Sequence, residues 1–138
     1  METKFNFNSQ VCTSRSQSEK LLALGLKKET ADMVYQYLNQ WDGWYLHPLE
    51  EEEGIIHTDI PAWSLHRLIE MMPKALKREY GYIYWIMEDN TISYADIMYG
   101  YEYTKMYEFI GDSIYESVIL AIEWLIKEGY FNKEFLEE

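Results

Sequence analysis

The run Tyr80-Gly81-Tyr82-Ile83-Tyr84-Trp85-Ile86-Met87, then Glu88-Asp89-Asn90-Thr91, then Ile92-Ser93-Tyr94-Ala95-Asp96-Ile97-Met98-Tyr99, decides how the chain is read. Tyr80 to Met87 is dense in aromatic and β-branched residues, which suit a pleated strand. Asp89-Asn90 supplies a two-residue turn, because both residue types tolerate positive φ. Thr91 to Tyr99 is then the returning strand. With Glu88 opposite Thr91, one face carries Tyr80, Tyr82, Tyr84, Ile86, Ala95, Ile97 and Tyr99. The other carries Ile83, Trp85, Met87, Ile92, Tyr94 and Met98, broken by Asp96, and a one-residue slip would exchange the two sets. Neither face is polar, so both ask for cover, at least in part. Tyr101, Tyr103 and Tyr107 continue the alternation, and residues 80–108 are read as an antiparallel hairpin or meander of two or three strands.

A two-stranded hairpin is marginal in water, and the sequence places its cover directly downstream. Ser113 with Glu116 forms a capping box, Gly129 marks a stop, and 113–128 reads as a helix. Ile114, Val118, Ala121, Ile122 and Leu125 make its apolar stripe, flanked by Tyr115, Ile119 and Ile126. Burying that stripe contributes on the order of 10–20 kcal/mol. Fixing about 16 residues costs a similar amount. The helix therefore persists only packed on something, and the hairpin is the platform.

Upstream, Ser14–Gln17 and Ser16–Glu19 are overlapping capping boxes that start a helix near Ser14, and Gly25 ends it after Leu21, Leu22 and Leu24. Val34, Tyr37, Leu38 and Trp41 fall at helical spacing and predict a second helix over about 29–40, so that 14–40 is a helical hairpin. Residues 42–58 carry Gly43, Pro48, Gly54 and the four like charges Glu50 to Glu53, and read as an irregular acidic loop. Pro61 suits a first helical turn, and Leu65, Leu68, Ile69 and Met72 give a short one-sided helix over 60–72, stopped by Pro73. The expectation is a single α+β domain over 1–138. It has an N-terminal helical hairpin and a third short helix, a two- to three-stranded antiparallel meander, and a C-terminal amphipathic helix packed on it.

Twelve basic residues against 24 acidic ones give a net charge of -12. Basic and acidic residues number five and four in 1–40, none and six in 41–60, four and two in 61–80, and three and twelve in 81–138. Such a field repels nucleic acid and anionic membranes and favours a basic partner. The single cysteine, Cys12, excludes an intrachain disulfide. Met1 to Gln10 lacks the apolar core of a signal peptide, and the apolar stretch Ile114 to Ile126 is interrupted and too short to span a bilayer, which together predict a cytoplasmic protein.

Two stretches carry a resemblance. One runs from Cys12-Thr13-Ser14 through Gln17-Ser18-Glu19-Lys20-Leu21-Leu22-Ala23-Leu24-Gly25-Leu26 to Glu29-Thr30-Ala31-Asp32-Met33. The other is Asp59-Ile60-Pro61-Ala62-Trp63-Ser64-Leu65 with Leu68, Ile69 and Pro73, and Glu116-Ser117 and Trp124-Leu125-Ile126 are similar too. Together they resemble a group of uncharacterised small proteins of gut Bacteroidetes phages and mobile elements. The resemblance implies a genomic origin; the group has no known activity, and it transfers no site residue.

Cys12 near a helix start is either a thiol activated by the helix dipole or a small residue packing the N-terminal segment; no pattern links it to His47, His57 or His66 as a base. His47, Glu50 to Glu53, His57 and Asp59 offer nitrogen and oxygen ligands, but not at the spacing of a helical His pair or a calcium loop, so the loop reads as a solvated charge run without metal. Trp41, Trp44 and Tyr45 beside Asp42 either form a sugar- or peptide-binding surface or, as the simpler expectation, anchor their loop to the core. Tyr82 and Tyr84 stand on a hairpin face that, left uncovered, would be an aromatic patch suited to a partner or a homodimer. Arg15, Lys20, Lys27 and Lys28 on a helical hairpin raise a DNA-binding regulator through 14–40, against which stands a charge of only +1 in residues 1–40. No glycine-rich phosphate loop, CxxC pair or serine elbow is present. The function expected is that of a non-enzymatic accessory protein acting through protein–protein contacts, with no cofactor. The alternative is a small-ligand or carbohydrate-binding domain using Trp41, Trp44 and Tyr45.

Overall fold

The computed structural model describes residues 9–49, 55, 58–98 and 102–138. Helix α1 (Arg15–Ala23) starts at the expected capping box: the Ser14 hydroxyl accepts from Gln17 N–H and the Gln17 side chain accepts from Ser14 N–H. It ends where Gly25 takes φ +105°, a conformation that costs glycine little.

The expected helix over 29–40 is not formed. A short 3-10 turn (Lys28–Thr30) leads into strand β1 (Met33–Leu38), which turns through Asn39–Trp41 and a left-handed Asp42 into β2 (Gly43–Pro48). Tyr37 lies opposite Trp44 and Leu38 opposite Gly43. The helical spacing of Val34, Tyr37, Leu38 and Trp41 is outweighed by the alternation of Met33, Tyr35 and Tyr37 and by cross-strand pairing. The irregular loop over 42–58 is corrected in the same way, since its first third is β2; Glu50 to Glu53 and His57 lie outside the described residues. Pro61 is likewise not in a helix. It sits in β3 (Ile60–Ala62), an edge strand paired with β1, where its missing N–H is tolerated. These strands form a sheet in the order β2-β1-β3. Helix α2 (Leu65–Met71) begins after the Ser64 cap and stops before Pro73.

The second sheet is a four-stranded antiparallel meander, larger than the two or three strands expected. β4 (Ala75–Arg78), β5 (Gly81–Glu88), β6 (Thr91–Met98) and β7 (Glu102–Ile110) are neighbours in chain order. Asp89 takes φ +51° in the β5–β6 turn, and Glu88 pairs with Thr91. β4 was missed because a four-residue edge strand with one inward residue, Leu76, carries almost no periodic signal. A bulge between Tyr94 and Ala95 shifts the β6–β7 register, so Tyr94 faces Tyr107 whereas Ala95 faces Lys105.

Helix α3 (Ile114–Lys127) packs on β6 and β7, and α1 and α2 both pack against it. The helix brings Val118, Ile119, Ile122 and Leu125 into one core with Leu76, Ile83, Ile92 and Tyr94 from the meander, Leu21 and Leu26 from the N-terminal segment, and Leu68 from α2. Trp63 is fully buried there. Its indole N–H donates to Thr30 Oγ1 (3.0 Å), its backbone N–H to Thr13 Oγ1 (3.1 Å), and its carbonyl accepts from Thr13 N–H (2.8 Å). Asp32 accepts from Ser64 N–H (2.8 Å), and Arg67 Nε donates to the Thr30 carbonyl (2.7 Å). A buried indole N–H without such a partner would cost about 1–3 kcal/mol.

The β7–α3 junction is equally tight. Gly111 N–H donates to Ser117 Oγ (2.8 Å), that hydroxyl donates to the Asn90 carbonyl, and Asn90 Nδ2 donates to the Gly111 carbonyl (3.0 Å). A Cβ at Gly111 would lie 2.5 Å from Glu116 Cβ and 2.9 Å from Glu116 carbonyl carbon, closer than real side chains approach. Gly111→Ala should therefore lower stability by about 1–3 kcal/mol, read as a fall in Tm of roughly 5–10 °C in thermal circular dichroism. Gly43→Ala, whose nearest atoms stand 3.7 Å away, should leave Tm nearly unchanged.

Candidate functional site

All five aromatic residues singled out from the sequence are exposed, three on the β1–β2 hairpin and two on the meander. Trp41 is 60%, Trp44 37%, Tyr45 38%, Tyr82 52% and Tyr84 42% exposed. The expectation that the two tryptophans anchor a loop to the core is thus corrected: neither belongs to the core, because β1 and β2 pair into a hairpin whose own strands hold the rings outward.

The hairpin divides the trio. Adjacent strand residues point to opposite faces, so Trp44 and Tyr45 cannot share one. Trp41 stands edge-on to Tyr45, centroids 4.9 Å apart, on the face that also carries Gln36 and His47. His47 Nε2 lies 3.1 Å from Gln36 Oε1, a contact that holds the imidazole beside the aromatic pair. Trp44 is on the other face, edge-on to Tyr37 at 5.5 Å and capped by the Arg15 guanidinium of α1 at 5.0 Å from its ring. That cation–π contact ties the hairpin to α1 and leaves Trp44 the least open of the three. The Tyr37 hydroxyl donates to Asp42, and this hydrogen bond raises the phenol's pKa.

The second surface is the face of the meander turned away from α3. Register places Tyr84 beside Ala95 and Lys105, Ile97 beside Tyr103, and Thr91 beside Ile110. Tyr82, Tyr84, Ile97, Tyr103 and Ile110 are between 42% and 62% exposed, whereas Ser93 and Ala95 form a shielded floor between them. Its charges are few. Glu88 accepts from the Tyr103 hydroxyl and from Lys105 Nζ (3.3 Å), and Lys105 also reaches Glu108 (3.5 Å). The Tyr103 hydrogen bond, then Lys105, holds Glu88 below the usual carboxylate range. These charges lie on β7 and at the end of β5, and the apolar area beside them is what the face offers a partner.

The remaining candidates resolve into structure. Cys12 is 2% exposed, with Sγ 3.5 Å from the Tyr35 hydroxyl; burial pushes the thiol pKa up, the reverse of an activated nucleophile. His66 is exposed and pairs with Glu70 one turn on (3.6 Å). Among the described residues no group of three or more His, Cys, Asp or Glu side chains is placed to hold a metal ion, and most of the ligand set considered from sequence lies outside them. With 29–40 largely strand, the second helix that a DNA-reading helical hairpin requires is missing, and that reading loses its basis. No described helix is long and apolar enough to cross a membrane. A scan of protein-family models and searches of curated proteins and of solved structures gave no match to this chain.

The contrast between exposed and buried tryptophans is measurable by urea unfolding. Trp41→Ala should change stability by no more than about 0.5 kcal/mol, whereas Trp63→Ala should cost about 3–5 kcal/mol. Cys12 should resist alkylation in the folded chain even near pH 8.5, where a free thiol is half ionised, and should react at once in urea.

Proposed function

We propose that this chain is a non-enzymatic binding protein, an accessory factor of a phage or mobile element, that acts by docking a protein partner on the tyrosine face of its meander. The observation that carries the reading is the set Tyr82, Tyr84, Ile97, Tyr103 and Ile110, exposed together on one sheet face. Tyrosine brings a large, rigid contact surface and a polar tip, which is why it is enriched at interfaces. The net charge of -12 selects a basic partner by steering, with the apolar face supplying the docked contact. The genomic setting rests on the resemblance of the Cys12–Met33 and Asp59–Pro73 stretches.

A second reading is favoured by Trp41 and Tyr45. Their edge-on pair lies beside the Gln36–His47 contact on one hairpin face, which joins an aromatic platform to amide and imidazole hydrogen-bonding groups, the combination that takes sugars or peptide planes. Trp44, on the reverse face, takes no part in it.

Affinity capture from the host organism at low and high salt, with wild-type chain and with Tyr82→Ser/Tyr84→Ser, tests the first reading. The expected result is a basic protein released as salt rises and lost with the double variant. An acidic or salt-insensitive catch, or one indifferent to the two tyrosines, refutes it. Tryptophan fluorescence titrated with a sugar panel tests the second: a response abolished by Trp41→Ala supports the platform, and a flat titration removes it.

A further inference from the structure

Strand β7 is nine residues long and, among the described residues, stands at the open edge of the meander. The opposite edge, β4, is four residues long and carries Lys77 and Arg78, features that discourage further pairing. β7 is more than twice that length, carries Glu102, Lys105 and Glu108, and leaves Ile110 62% exposed. Between its end and α3 runs a groove of about 420 Å³ lined by Phe109, Ile110, Leu120 and Trp124, with Glu123 and Lys127 at its rim.

We infer that β7 is the interface with a second copy of this chain, the two strands pairing antiparallel about a two-fold axis between Met106 and Tyr107 to make one continuous eight-stranded sheet. The order of side chains on β7 selects that occupant and that register. About this axis Lys105 lies opposite the partner's Glu108, and, by symmetry, Glu108 opposite the partner's Lys105. Tyr103 falls opposite the partner's Ile110 in the same way. All four side chains belong to the tyrosine face, because Ile97 pairs with Tyr103, Ala95 with Lys105, Ser93 with Glu108 and Thr91 with Ile110. The bulge makes this possible: one extra residue between Lys105 and Tyr107 lets an odd register keep like faces together. An axis through Lys105 would instead stack lysine on lysine and set Glu102 against Glu108, and an axis through Met106 would place Lys105 against Tyr107 from the other face.

On the α3 side the pairing sets the partner's Thr104 and Met106 against Phe109 and Tyr107, over the groove beside Leu120 and Trp124. About eight ladder hydrogen bonds would form. A specific interface begins at about 1,000 Å² of buried surface, so the exposed Leu120 of α3 joins the strands in the contact. The Lys105–Glu108 pairing is self-complementary at the centre of the contact between two chains that each carry -12. The seam shares Tyr103 and Ile110 with the docking face of the proposed function and leaves Tyr82 and Tyr84 uncovered.

The full chain, examined by sedimentation equilibrium, should be dimeric. Lys105→Glu and Glu108→Lys should each weaken the dimer at least about tenfold by setting like charges opposite one another twice, and the double variant Lys105→Glu/Glu108→Lys should regain it. Leu120→Glu, on the exposed surface of α3, should also weaken it and settles the question if either charge variant fails to fold. A monomeric wild-type chain overturns the proposal, whatever else lies along β7. A dimer indifferent to the single variants and to Leu120→Glu overturns the interface, and one lost in the singles without recovery in the double overturns the register. The Tyr82→Ser/Tyr84→Ser variant should remain dimeric, which separates this outcome from the partner-capture result.

Discussion

A fourteen-residue amphipathic helix has too little internal cohesion to hold its shape in water, and everything in this fold is arranged around supplying α3 with neighbours. Seven of its residues are buried. One side lies on β6 and β7, and α1 and α2 close on it as well. The meander depends on the helix in return, since Ile92, Tyr94 and Ile83 lose water only because α3 and its neighbours exclude it. Trp124 joins the two elements at the rim, its ring within 4.4 Å of the Tyr107 ring centre and 5.5 Å of that of Phe109.

This central contact was legible in the sequence because both halves of it are written locally. The α3 stripe repeats at helical spacing within one segment, and the β5–β6 register follows from a turn pair, Asp89-Asn90, that fixes which residues face each other. The N-terminal half was misread where the outcome is decided at a distance. Residues 33–38 satisfy a helical stripe and a strand alternation alike; what tips them is Trp44 across a hairpin and Ile60 to Ala62 on the other flank. The adjacent Asp42-Gly43 was the overlooked signal, an aspartate–glycine step of the sort that closes hairpins. Pro61 misled for a different reason, because its fixed φ fits a first helical turn and an edge strand equally well. The aromatic candidates were found by type, but their division between two faces of one hairpin could not be read before the strand itself was recognised.

Residues of the two stretches Cys12–Met33 and Asp59–Pro73 meet in space. Thr13, Ser18, Thr30, Asp32, Trp63 and Ser64 come from both stretches and satisfy one another's buried polar groups around the Trp63 indole, and Gln17 donates to Glu116 of α3 (2.8 Å). Their pattern is therefore accounted for by scaffolding: a bulky buried indole needs a partner for its N–H, and the segment bearing that partner must come to it. The aromatic surfaces lie outside both stretches, on Trp41 to Tyr45 and on the meander.

That scaffolding sets an order of events for the growing polypeptide. Gln17 and its acceptor Glu116 are 99 residues apart, and Leu26 bridges to Leu136 while Glu137 N–H donates to the Gly25 carbonyl. Helix α1 thus waits for segments far downstream before its environment is complete, and such distant contacts slow folding. During that interval the tyrosine-rich strands have emerged but their helical lid has not. The nascent chain consequently passes through a stage in which an adhesive ribbon is bare, when a chaperone or dilute expression would protect it most.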